Sequence, residues 1–295
     1  MKHPLQIILW MAMVLTLASD CLAETFPPVS GTLSPGPAEP GTVHSTAPAP
    51  ATAAESKKDW HLDMGGSYSS LNNNYGSWKG ADVRLMYSGL KRITPIFAIA
   101  SQSRNEGSQS AYGIGSYIFV NPQFYMIAGI SIAPVSDPKV VLFPERRMDL
   151  TGFIGVPPVP GFVLTTGITD ISSPGGGGNM YSLGGIYYYS KAIFSGSFSY
   201  NISRPGNVTS QSGQVGIMYG TQGKYWIGGG GGMGTVAYQV ASEVPFDARF
   251  NSRSVNVFYQ RWIGKDWGIT GRYDFQDLVD AYQLHGVSMR FFVDF

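Results

Sequence analysis

The sequence predicts an all-β chain: a transmembrane antiparallel up-and-down β-barrel of about fourteen strands, with twelve to sixteen compatible with the pattern. Three observations carry this. Charged residues make up only 13% of the 295 positions, whereas Gly contributes 38, Tyr 17 and Phe 16. A soluble domain carries about a quarter charged residues, so much of this surface faces something other than water. Mean hydropathy is nonetheless −0.01, and no apolar run of about eighteen residues occurs, which excludes spanning helices. From Trp60 onward apolar and polar residues alternate with period two. Each segment is therefore apolar on one face only, as a strand between lipid and lumen must be.

The elements follow in order. Lys2 and His3 precede an apolar stretch from Leu5 to Ala18, the n-region and h-region of a secretory signal. Cys21-Leu22-Ala23 fits a small-x-small cleavage site, which makes residues 1–23 a signal peptide. A lipoprotein site at Cys21 is the rival reading, but Asp20 stands where such signals want a small neutral residue. Residues 24–58 are rich in Pro, Ala, Ser, Thr and Gly and cannot bury enough apolar surface to fold. They read as an extended periplasmic linker, either a spacer or a tether for a periplasmic partner. The barrel then occupies residues 59–295.

Its strands are expected near 60–71, 77–90, 93–103, 109–120, 123–135, 146–156, 160–171, 179–190, 192–203, 209–221, 223–239, 250–263, 266–277 and 282–295. Ala192 to Ser203 shows the pattern: Phe194, Phe198, Tyr200 and Ile202 share one face, Ser195, Ser197, Ser199 and Asn201 the other. The odd-numbered connections read as longer than the even ones. Outer-membrane barrels put short turns in the periplasm, so both termini are expected there. Ala133–Arg147, with three prolines and Arg146-Arg147, is the longest and is expected to fold inward or lie across the mouth. Gly175–Gly178 reads as a loop tip. Gly228–Gly232 falls inside a strand, as a bend or a site of close packing.

The last strand ends YQLHGVSMRFFVDF. Val287, Met289, Phe291, Val293 and Phe295 share one face and the chain stops on an aromatic, the kind of ending that barrel-assembly machinery reads. The same parity turns Asp63, Asp82, Arg84, Arg147, Asp149, Arg272, Asp274 and Arg290 into the lumen. A charge on the lipid face costs about 2–4 kcal/mol near the midplane, so inward placement is expected on energy alone. The eight either knit the lumen by ion pairs or line a polar permeation path. Tyr187, Tyr188, Tyr189, Trp226 and Trp262 read as an interfacial girdle, with a sugar-stacking platform as the alternative. No catalytic residues are assigned: His61 and His285, the barrel's histidines, fall at opposite ends, and no metal cluster or cofactor motif is visible. A net charge of +1 gives no reason to expect nucleic acid.

Residues 60–295 resemble the YaiO-like outer-membrane β-barrels in size, in the stretch GISIAPVSDPKVVLFPERRMDLTGFIG, in YSLGGIYYYSKAIFSGSFSYNISRPG and in the ending MRFFVDF. The resemblance implies a single barrel in the Gram-negative outer membrane, with lipids and the assembly machinery as partners and a link to exopolysaccharide export. Members sometimes carry tetratricopeptide repeats; here the Pro-rich linker stands in that place. The resulting expectation is a channel or export pore, with a non-conducting interaction barrel tethered by its linker as the alternative.

Overall fold

A computed structural model describes residues 58–72, 76–105, 107–134, 142–174, 176–240, 246–279 and 282–295. The expected signal peptide, Cys21, nearly all of the expected linker and the middle of the longest connection lie outside these residues. The strands are β1 (Trp60–Leu71), β2 (Ser77–Tyr87), β3 (Ile93–Arg104), β4 (Gly107–Asn121), β5 (Phe124–Ile132), β6 (Arg146–Gly155) and β7 (Phe162–Ser173). They continue as β8 (Gly176–Tyr189), β9 (Ala192–Arg204), β10 (Val208–Thr221), β11 (Tyr225–Val240), β12 (Phe246–Trp262), β13 (Trp267–Leu278) and β14 (Tyr282–Asp294). Each pairs antiparallel with its neighbours in sequence, and β14 returns to β1, closing the barrel.

Closure satisfies the backbone groups that an open edge would leave bare in hydrocarbon. The seam runs from His61 opposite Asp294 to Leu71 opposite Leu284. At its lower end Trp60 and Phe295 exchange N–H···O=C bonds of 3.0 and 2.9 Å. Lys58 pairs with Asp266 at 2.5 Å, and His61 Nδ1 lies 2.7 Å from Asp294 Oδ1.

Side-chain exposure alternates as the period-two pattern requires. Met64, Val83, Ile99, Ile114, Leu150, Leu183, Ile217, Val257 and Met289 are exposed on the outer face. Exposed aromatics bound this belt, with Trp60, Tyr189, Trp267 and Phe295 near the termini and Tyr68, Tyr112 and Tyr181 toward the other end. From Tyr181 to Tyr189 is roughly 27 Å along the strand, or roughly 20 Å of membrane at a tilt near 40°. The belt thus fits a hydrocarbon layer.

All fourteen expected strands are present. Strands β2 and β5 each end three residues before the expected boundary. Two others start three or four residues early because glycine and polar residues carry little strand signal although their backbones pair well. Gly176–Gly178 joins β8, with Gly177 opposite both Ser172 and Arg204, rather than forming a loop tip. Strand β12 begins at Phe246, before the expected 250. These extensions weaken the expected contrast between connections: 105–106, 174–175 and 205–207 are as tight as 122–123 and 190–191. Only 133–145 stays long.

Candidate functional site: the barrel lumen

Fourteen strands about 4.8 Å apart, tilted near 40°, make a backbone cylinder roughly 28 Å across. What such a barrel holds depends on how far its inward side chains reach. The eight charged residues expected there lie on the face opposite the exposed apolar belt and pair among themselves. Asp63 accepts from Arg84 at 2.7 Å and from Arg290 at 3.3 Å, and Arg290 also donates to Asp82 at 2.7 Å. Arg147 holds Asp149 with two nitrogens at 2.8 and 2.7 Å, and Thr169 donates to the same carboxylate at 2.7 Å. Arg272 donates to Asp274 at 2.6 Å. Four arginines thus meet four aspartates, and the set sums to zero charge.

One geometry explains how Arg290 reaches Asp82 two strands away. Gly65 on β1 faces Arg290 on β14 and Asp82 on β2. A Cβ on Gly65 would lie 2.7 Å from Arg290 Cγ, so the arginine lies flat across β1 through the space the glycine leaves. The same device recurs. A Cβ on Gly228 would meet the Phe258 ring at 2.7 Å, and one on Gly220 would meet the Trp226 ring at 2.9 Å. In both cases the large residue is the glycine's direct cross-strand partner. These three large inward side chains lie against the wall over the glycines. The glycine run of β11 is therefore a site of close packing on its inner side. On its outer side, Gly229 and Gly271 floor an apolar lipid-facing groove of about 690 Å³ walled by Ile217, Tyr219, Val257, Tyr259 and Tyr273.

Across β8 to β13 much of the wall is small and neutral. One row across β8 to β13 reads Gly184, Ser197, Gln214, Gly232, Ser254 and Gln276. The neighbouring row reads Ser182, Ser199, Ser212, Gly234 and Ser252. Gln214 donates to Ser197 at 3.0 Å. Near the termini the inner face turns apolar: Met86, Ile96 and Tyr117 are buried with Phe119, Tyr125 and Ile127 packed on them. Trp262 stacks edge-on against Phe292 at 5.1 Å. Tyr188, Trp226 and Trp262 share the inner parity, which corrects their expected place in the girdle; Tyr187 and Tyr189 are exposed on the outer face as expected.

At the opposite mouth, Gln109 is buried on the inner wall. Its oxygen accepts from Leu142 N and Phe143 N at 2.7 and 2.8 Å, and its nitrogen donates to Ala133 O at 3.3 Å. One amide thus clamps both stems of the longest connection to the wall. Whether 135–141 fold inward or lie across the mouth falls outside the described residues. His61 and His285 stand nine residues apart along the seam register, about 30 Å. His285 is outward and shares a 2.8 Å hydrogen bond with Tyr273 Oη. Val287, Met289, Phe291 and Phe295 are exposed outward, with Val293 half-buried.

The comparisons with known proteins agree with this architecture. The family model described as YaiO membrane beta barrel domain matches residues 60–239. No curated protein matches the sequence. Among solved structures, a bacterial polysaccharide outer membrane secretin superposes with a TM-score of 0.54 at 6% identity, covering 81% of this chain and 99% of that one. The CymD monoaromatic hydrocarbon channel superposes at 0.55 with 9% identity, covering 81% and 89%. At such identities the likeness is one of fold.

Proposed function

Since the chain belongs to the YaiO membrane beta barrel family and has the closed, belted build of an outer-membrane barrel, we propose that it is a passive passage for polar, uncharged chains, polysaccharide above all. The observation that carries this is the inner wall. Eight of its charges pair to zero, Arg290, Phe258 and Trp226 lie over glycines, and its β8–β13 rows offer hydroxyl and amide groups at more than one height. A sugar chain exchanges hydrogen bonds with such groups without the desolvation cost of an ion. The signal-like pattern of residues 1–23 and the longest connection at the mouth away from the termini support a topology with both termini in the periplasm.

Purified protein in planar bilayers should give discrete conductance steps with weak preference between cations and anions. Proteoliposomes should admit neutral oligosaccharides faster than charged ones of equal size. Silent bilayers together with oligosaccharide exclusion would refute the passage and favour a tethered interaction barrel. In that case, deleting residues 25–56 should abolish capture of a periplasmic partner while leaving the barrel folded.

A further inference from the structure

Charges on the lipid-facing parity are expensive, and four strands spend that energy at one place. Arg146 on β6 has the parity of exposed Met148 and Leu150, and Asp170 on β7 that of exposed Ile168. Asn179 on β8 shares its face with exposed Tyr181 and Leu183. Arg204 ends β9 and is exposed. Asp170 accepts from Arg146 through Oδ1 at 3.2 Å and from Arg204 through Oδ2 at 3.0 Å, while Arg204 also donates to Asn179 Oδ1 at 2.6 Å. One carboxylate and one amide therefore hold two guanidinium groups side by side on the outer surface. Both arginine side chains remain about half exposed, 51% and 53%, and the group carries a net charge of +1.

The group sits at the upper border of the apolar belt, at the end away from the termini. A lipid-facing arginine is tolerated there, at about 0–1 kcal/mol against about 2–4 at the midplane. A pair of forked donors suits phosphate oxygens, to which guanidinium groups bind bidentately. Exposed Met148, Ile168, Tyr181 and Leu183 lie directly below on the same face. The combination matches a molecule that joins a phosphate to acyl chains at the membrane surface. We propose that Arg146 and Arg204 form a binding site for the phosphorylated headgroup of an outer-leaflet glycolipid. The choice of leaflet rests on the topology in the preceding section; the geometry of the site does not.

The test uses the purified full-length protein in detergent, with diphosphorylated lipid A as probe and retention scored by native mass spectrometry. Conductance is not read, so failure here leaves the proposed passage untouched. Wild type should retain lipid A, and Arg146→Gln with Arg204→Gln should lower retention at least about tenfold. Asp170→Asn, which removes the competing anion, should retain as much or more. Lys79→Gln, which removes another exposed cation on the outer parity, should change nothing. Heat-modifiability on gels confirms that each variant is folded. Equal retention of dephosphorylated lipid A, equal retention by the double variant, or an equal fall with Lys79→Gln would overturn the site. Displacement of lipid A by millimolar inorganic phosphate would reassign it to free phosphate, and equal retention of phosphatidylglycerol would overturn the assignment to a glycolipid.

Discussion

Replacing Gly65 by alanine puts one methyl group where Arg290 now lies. The new Cβ would stand 2.7 Å from Arg290 Cγ and 3.1 Å from the Met289 carbonyl oxygen. The backbone contact needs a shift of a few tenths of an ångström, under about 1 kcal/mol. The arginine has no such remedy and must lift from the wall. It then loses its bonds to Asp82 at 2.7 Å and to Asp63 at 3.3 Å. Charge-assisted hydrogen bonds contribute about 1.5–3 kcal/mol each. Lumen water recovers part of that, because the Arg290 and Asp82 side chains are 19% and 24% exposed. The net expectation is about 2–4 kcal/mol of lost stability, read from equilibrium urea unfolding in detergent. A double-mutant cycle isolates the cause: in an Arg290→Ala background the Gly65→Ala change should fall below about 1 kcal/mol. If the two losses add, Arg290 does not depend on the glycine seat and the reasoning is wrong.

Three further expectations follow from the same wall. Asp63→Asn leaves two arginines, one of them the buried Arg84, short of a carboxylate, and should destabilise by about 3–5 kcal/mol. Asp274→Asn, in the more exposed Arg272 pair, should lose under about 1 kcal/mol; equal losses in the same unfolding assay would contradict the ranking. Gln109→Leu removes the clamp on the longest connection, so limited proteolysis within 133–145 should quicken several-fold while the strands stay protected; an unchanged cleavage rate would show that the stems hold without it. Deleting Phe295 removes both hydrogen bonds at the foot of the seam, and should cut the amount of barrel recovered from outer membranes, measured by heat-modifiability; full recovery would deny the terminal aromatic its role.

Much of this barrel is legible along the chain because its structure is local. Period-two alternation in Ala192 to Ser203 tells which residues face lipid, and it placed all eight charged residues on the inner parity. It is silent on partners. Arg290 meets Asp82 across 208 positions, a relation set by the register of two strand pairs, and no spacing in the sequence encodes that register. Glycine seats are hidden for the same reason: Gly65 is one of many glycines until Arg290 is laid across it. Tyr188, Trp226 and Trp262 were misplaced because an aromatic near a strand end fits a girdle equally well by composition, and only counting parity within the observed strand turns them inward. The rim group of Arg146 and Arg204 was missed because its members come from four strands, each contributing one residue at or near a strand end, and no spacing in the sequence relates them.

The seam has a kinetic consequence. Every other strand pair joins neighbours in sequence, so those hairpins can form as soon as both strands are present. Joining β1 to β14 alone requires the first and last strands to find each other, Trp60 to Phe295. Ends that far apart meet only after the loop-closure entropy of the whole chain has been overcome. Until then the sheet carries two bare edges that each invite pairing with another chain. A copy lacking β14 therefore remains an open, adhesive sheet rather than a slightly smaller barrel, and its edges need shielding until that strand is in place.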